Sequence, residues 1–405
     1  MTINNEHKKL NVPNLRFPEF QGEWKELGLS ELLDFKNGLN PKPDKFGKGI
    51  KFISVMDILN NAVITYDCIK ASVDVTEKEL SDFSVEKGDL LFQRSSETLE
   101  DVGRANVYMD DKTAVFGGFV IRGKKKGEYD PQYFNYLLRS PFARKRIIPM
   151  GAGAQHFNIG QEGLSKVKLH FANIEEQKKI GKMLSLLDER ISTQNKIIDK
   201  LQSLIKGINQ RVFKNSGTNY KLGEICEIRS GYSGSQHLSK KGLKVSRIET
   251  ISGHKVNMER VGYVAPFESS ENYRLRVGDI LFSNINSVEY IGNTAFIDKD
   301  YDLYHGMNLL RLTPNNMVVI PFYLYLLLNT NRMLNRFKTV CNKAVSQASI
   351  NQTELGKTVV QIPPINTQEQ ICELYQALYT KLEKVSHTKS LFQNQKQYLL
   401  RQMFI

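Results

Sequence analysis

Three short stretches of this 405-residue chain are crowded with side chains that hold hydrogen-bond donors and acceptors close together, and each stretch has a counterpart later in the sequence. The first follows "GDLLF" and "GDILF". It supplies Gln93, Arg94, Ser95 and Ser96 in one place and Ser283, Asn284 and Asn286 in the other. The second is "GAGAQHFNIG" against "NKAVSQASIN", with Gln155, His156 and Asn158, then Lys343, Ser346 and Gln347. The third is "FKNGLNPK" against "IRSGYSGSQ", with Lys36 and Asn37, then Arg229, Tyr232 and Ser233. Arg and Lys match the acceptors of guanine, and Asn and Gln match adenine. A hydroxyl or a bare charge is enough for phosphate. The alternative for all three is ordinary solvated turns and connectors, with glycines serving turn geometry. The basic segment "RSPFARKRI" (Arg139, Arg144, Lys145, Arg146) and the run Lys124 to Lys126 suit backbone contacts or solvated faces.

Other chemistry finds little support. His156 has no second ligand nearby in sequence, and the four cysteines (Cys68, Cys226, Cys341, Cys372) form no CxxC pair, so neither a metal site nor a disulfide framework is expected. "GKT" at Gly356 to Thr358 lacks the glycine a phosphate loop needs five residues earlier, where Asn351 stands. It reads as a turn before a strand. "FGGF" at Phe116 is no cofactor-binding glycine loop. The only Pro-Pro pair, Pro363-Pro364, lies in "IPPI", outside any amino-methyltransferase motif.

The counterparts belong to a repeat that covers nearly the whole chain. "VEKGDLLFQRSS" returns as "LRVGDILFSNIN", "VGRANVY" as "IGNTAFI", "DPQYFNYLL" as "IPFYLYLLL", and "IEEQKKI" as "INTQEQI". The unit is far too long for a solenoid repeat, so it describes two tandem modules. The front of each reads as short strands (Lys51 to Val55, Asp89 to Gln93, Val115 to Arg122 and their later counterparts) followed by a short helix, Pro131 to Ile148 and Pro321 to Phe337.

The back of each module reads as one long helix. Its apolar seam steps by four and three: Leu187, Ile191, Gln194, Ile198, Leu201, Ile205, Ile208 and Val212. The second copy gives Leu378, Leu382, Val385, Lys389, Phe392, Lys396, Leu399 and Met403. Two seams of equal length are best buried against each other. An intervening module makes their pairing antiparallel, with one module at each end of a stiff spacer about 60 Å long. The expected fold is therefore α+β: two similar domains separated by an antiparallel coiled coil, with an internal pseudo-twofold repeat. The expected boundaries are 1–173, 174–214, 215–364 and 365–405.

A formal net charge of +13 favours a polyanionic partner. Two basic readers on a rod suit a duplex with two separated half-sites. Their loops differ, so the site should not be palindromic. The longest apolar run, Phe322 to Leu328, is far shorter than the roughly 20 residues that span a bilayer. A cytoplasmic location is expected.

The segments "IEEQKKIGKMLSLLDERI" and "INTQEQICELYQALYTKL", with "W-KELG", "GDLLF" and "GAGAQHFNIG", resemble the specificity subunits of type I restriction-modification systems. The resemblance implies two target-recognition domains, each reading half of a bipartite site on double-stranded DNA. It implies partners: two adenine-N6 methyltransferase subunits and two ATP-driven translocase and nuclease subunits. It implies that S-adenosylmethionine, ATP and magnesium sit on those partners, with no catalytic residue or cofactor on this chain. The chain departs from the pattern at Thr367, opposite Glu176, and in the seam lysines Lys389 and Lys396. Rival readings are a fused enzyme that both methylates and cuts, and a duplicated scaffold without a DNA role.

Overall fold

The computed structural model describes residues 11–213, 217–236, 240–343 and 347–405. The chain divides into two units. One comprises residues up to 197 together with 385–405, and the other comprises 198–384. Each unit therefore takes one globular module and a portion of both long helices.

Both units are built on the same four-stranded antiparallel sheet. In the first unit the spatial order is Leu33–Asn37, Val120–Lys125, Leu90–Gln93, Ala105–Val107. In the second it is Cys226–Ser230, Leu309–Pro314, Ile280–Ser283, Thr294–Phe296. The central strands carry continuous apolar runs because they are covered on both faces: Leu90, Leu91 and Phe92, and Ile280, Leu281 and Phe282, are fully buried.

The repeated Gly-Asp pair opens the innermost strands by making a turn. Gly88 and Gly278 adopt φ of 96° and 97°, which a side chain would resist. Asp89, buried, accepts from the Glu86 and Lys125 amides, both at 3.0 Å. Asp279 accepts from the Arg276 amide at 2.8 Å and the Thr313 hydroxyl at 2.6 Å.

Two local expectations change. The strand expected over Val115 to Arg122 is two strands, Ala114–Phe116 and Val120–Lys125, because a tight turn at Gly117–Gly118 moves the chain between sheets. The short helix of each module is also two. Pro131–Arg139 stops before Pro141, whose ring disfavours helical backbone at Ser140, and the Ser140 hydroxyl caps the next helix, Pro141–Ile147. Thr330 does the same between Pro321–Leu328 and Asn331–Val340.

The long helices span Ile174–Val212 and Ile365–Gln402. Every seam position named above is buried or half-buried, and most of the described residues on the opposite face are exposed. In the first unit the helices run antiparallel: Lys396 pairs with Asp188, and the Arg190 guanidinium sits over the Phe392 ring at 5.6 Å. Leu184 and Leu187 share a core with Leu399, Met403 and Phe404. In the second unit, Phe213 and the half-buried Ile205, Ile208 and Val212 share one with Cys372, Tyr375 and Tyr379. The end of each helix closes the module of the other copy. Phe404 packs on Tyr133 at 5.5 Å between centroids, and Phe213 packs on Tyr323 at 5.6 Å.

One buried glutamine per copy ties each long helix to its own module. Gln177 accepts from the Asp130 amide at 3.0 Å and donates to the Ala172 carbonyl at 2.8 Å. Gln368 accepts from the Ile320 amide at 2.8 Å and donates to the Pro363 and Val318 carbonyls. The departure at Thr367 also has a cause. Glu176, fully buried, receives a two-pronged ion pair from Arg16 at 2.8 and 2.7 Å, and Arg16 lies on the N-terminal segment that precedes the first copy of the repeat.

Candidate nucleic-acid interface

The strand directions decide where the polar patches lie. In the first unit Asn37 ends its strand opposite Ile121, and Gln93 ends its strand opposite Val120. Both strand ends therefore fall on one edge of the sheet. The Gly-Asp turn and the attachment of the long helix fall at the other edge, where Lys125 meets Asp89. A strand of four to six residues separates the two edges, about 13–20 Å. The second unit repeats this, with Ser230 opposite Leu310 and Ser283 opposite Leu309.

The structure joins the first and second patches through a short ladder. Ser95 and Ser96 pair with Asn158 and Phe157, and the Ser95 hydroxyl donates to the Asn158 side chain. The Arg94 carbonyl accepts from the Ile159 amide at 2.9 Å. In the second unit Ile285 and Asn286 pair with Ser349 and Ala348, and the Asn284 carbonyl accepts from the Ile350 amide at the same 2.9 Å. The third patch abuts the same edge. A Cβ on Gly38 would collide with the Gly117 carbonyl, and one on Gly231 with the Gly306 carbonyl, so only glycine allows these loops to close on the strands.

Individual residues differ in what they leave free. Gln155, His156, Asn158 and Gln347 are exposed, as are Asn37 and Ser233. Lys36 is engaged by Asp82 at 3.1 Å and lies over the Phe83 ring. Arg94 donates to the Gly118 carbonyl at 3.3 Å. Arg229 is paired with Glu227 at 2.6 Å. Tyr232 is stacked on Phe267 at 4.1 Å with planes 10° apart, so one ring face is already covered. Asn286 bonds the Ser283 hydroxyl at 3.1 Å and the Ser287 amide at 2.8 Å. The Asn284 Oδ1 is buried with no hydrogen-bond partner among the described residues. Gln93 and Ser283 are buried under the edge rather than on it. Ser346 and the Lys343 side chain lie outside the described residues.

One expectation about basic groups is corrected. Arg139 and Arg144 are not on a solvated face. Arg139 reaches the Ala105 and Asn61 carbonyls at 3.4 and 3.2 Å, and Arg144 holds the Glu100 and Val102 carbonyls at 2.8 and 2.6 Å. Burial, reinforced by the nearby Arg104, pushes Arg144 down to about 10. The lysine run does lie on the surface: Lys125 and Lys126 are exposed, Lys124 and Lys126 pair there with the exposed carboxylates of Glu86 and Asp34, and Lys125 donates to the Tyr129 carbonyl.

Sequence reasoning missed Arg122 and Arg311, which are buried at matching positions of the two sheets. Arg122 donates to the Ser84 carbonyl, and Arg311 to the Arg274 and Asn272 carbonyls at 3.1 and 3.2 Å. The repeat itself carried the signal, since "VIRGK" and "LLRLT" keep an arginine amid apolar residues.

Comparison with known proteins agrees with this architecture. The family model for the type I restriction modification DNA specificity domain matches twice, over residues 21–203 and 217–391. A putative type I restriction enzyme MjaX specificity subunit from Methanocaldococcus jannaschii is 37% identical over 188 residues, 45% of this chain and 44% of that protein. This chain thus aligns with less than half the length of that relative. The EcoKI specificity subunit of Escherichia coli is 23% identical over 329 residues, 73% of this chain and 69% of its own. The crystal structure of a type I restriction-modification S subunit from M. genitalium shares the fold, with a TM-score of 0.62 at 17% identity, covering 97% of this chain and 99% of that one. With both halves of the chain matched by one domain model, this protein belongs to the family of type I restriction-modification DNA specificity subunits.

Proposed function

We propose that each unit reads one half of an asymmetric, bipartite duplex site through the sheet edge where its three polar patches meet, and that the long helices fix the gap between the half-sites. The observation that carries this is the convergence of all three patches on the same edge of the same sheet in both copies. The two edges carry different side chains: Asn37, Arg94 and Gln155 on one, and Ser230, Asn284 and Gln347 on the other. Two unlike half-sites follow from that difference.

The division of labour follows the family resemblance. This chain supplies the address, and two methyltransferase subunits and two translocase-nuclease subunits supply the catalysis, with their S-adenosylmethionine, ATP and magnesium. No helix among the described residues is long and apolar enough to cross a membrane. A cytoplasmic location is part of the same reading, since the proposed substrate is cellular DNA.

The test is single-molecule sequencing of N6-methyladenine in cells that carry this chain with its partner subunits. One non-palindromic motif, split by a constant unread gap, is the expected result. A contiguous or palindromic motif would contradict two independent readers. Gln155→Ala with His156→Ala should relax only one half of the motif, because both residues belong to one unit and are bonded through their side chains to nothing else described.

A further inference from the structure

At the edge where the polar patches of the first unit meet, one large apolar side chain stands in solvent. Phe119 is 68% exposed. It occupies the tight turn between Ala114–Phe116 and Val120–Lys125, closed by a bond from the Val120 amide to the Gly117 carbonyl at 2.8 Å. The turn is anchored to the first polar patch. The Phe119 carbonyl accepts from the Arg94 amide at 2.9 Å, and the Arg94 guanidinium donates to the Gly118 carbonyl. Its inner side is full: a Cβ on Gly117 would lie 2.6 Å from the Phe52 ring, and one on Gly118 would collide with the Asn40 amide.

A lone exposed apolar residue is ordinary on a protein surface. Two observations set this one apart. It lies among the side chains already assigned to base and phosphate contact, on a turn that those residues hold in place. The second copy also keeps an apolar residue on the same two-residue tip. Met307, directly after Gly306, is 39% exposed, and its neighbour Asn308 adopts φ of 65°. The tips otherwise share only the glycine, "GGFV" against "GMNL".

We propose that Phe119 is a further specificity-determining residue. Its ring presses between two stacked bases of the half-site read by the first unit, and Met307 does the same on the other half-site. Phe and Met are both side chains that proteins use to wedge base steps apart. The cost of unstacking depends on the step, being lowest at pyrimidine–purine steps, so the wedge reads sequence where no hydrogen bond is made. This inference rests on the assignment of the sheet edge to DNA.

The experiment uses the complex of this chain with its methyltransferase subunits. The duplexes carry the mapped motif with 2-aminopurine placed at successive positions of one half-site. The wild-type complex should raise the fluorescence at one step. Phe119→Ala should remove that signal and weaken binding about ten- to a hundredfold, the loss expected for exposing a buried ring. Phe119→Trp should retain both. Met307→Ala should act on the other half-site alone. Phe119→Ala binding and reporting like wild type overturns the proposal. If it does so while Gln155→Ala/His156→Ala weakens binding, only the wedge falls. If both variants behave as wild type, the edge itself is not the DNA face. Unchanged melting of Phe119→Ala shows that the ring is not needed for folding.

Discussion

His305 shows how a single side chain can set conditions for a whole unit. It is 1% exposed, and Nε2 faces only the Leu309 carbonyl at 2.9 Å, so Nε2 carries the proton and the ring is neutral. Burial, with Arg311 nearby, brings its pKa down to about 4. An unfolded histidine titrates near 6.5. Between about 4 and 6.5 the unfolded chain therefore holds a proton that the folded chain does not. The stabilisation is complete above about 6.5 and is lost as pH falls toward 4, by about 3 kcal/mol in total. Denaturant unfolding across this range should show the loss, and His305→Gln should flatten it. The matching residue of the first copy is Phe116, so this contribution belongs to the second unit. At this scale the sequence was legible only in part. Gly38 and Gly231 could be read as turn glycines, but the carbonyls they lie against, of Gly117 and Gly306, come from turns more than seventy residues away, beyond any local pattern.

Among the elements, the heptad spacing exposed both long helices because burial along a seam leaves a periodic trace in the sequence. Lys396 broke that period, and the structure explains it. Its ammonium lies 2.6 and 2.8 Å from the Asp188 carboxylate, which also accepts from the Tyr136 hydroxyl at 2.7 Å. A pair 208 residues apart in sequence, with one partner on each helix, has no signature in either helix alone. Desolvation outweighs the carboxylate and holds the Lys396 pKa below its ordinary value, so the pair is costly to bury as well as attractive. The second copy fills the equivalent positions with Leu326, Tyr379 and Ile205 instead. Lys396→Ile alone should destabilise the first unit by roughly 3 kcal/mol, since it leaves Asp188 desolvated without its cation. Grafting all three residues, Tyr136→Leu, Asp188→Tyr and Lys396→Ile, should recover most or all of that loss, because well-packed apolar groups commonly match a buried ion pair. Unfolding of the single and triple variants decides this: a triple variant no more stable than the single one would mean that the ion pair itself is required.

For the molecule as a whole, the proposed function makes helix length a quantity that can be edited. Residues 198–212 of the first helix and 365–384 of the second belong to one unit, and their remaining portions belong to the other. The points where the two helices pass between units, after Ile197 and after Lys384, are where added length should change the gap without disturbing either core. Neither point carries a bond in the polar networks that hold Gln177, Gln368 or Asp188. Four residues inserted at both points add about 6 Å of helix. At 3.4 Å per base pair this is roughly two base pairs of duplex. Methylation mapping with the lengthened chain should therefore return the same two half-sites with a gap about two base pairs longer. The insertion must be made in both helices, because each unit holds a portion of both and a single insertion would lengthen one link between the units and not the other. A gap unchanged by the paired insertion would mean that the partner subunits, rather than these helices, set the spacing. Altered half-sites would mean that the readers depend on the helices for more than separation.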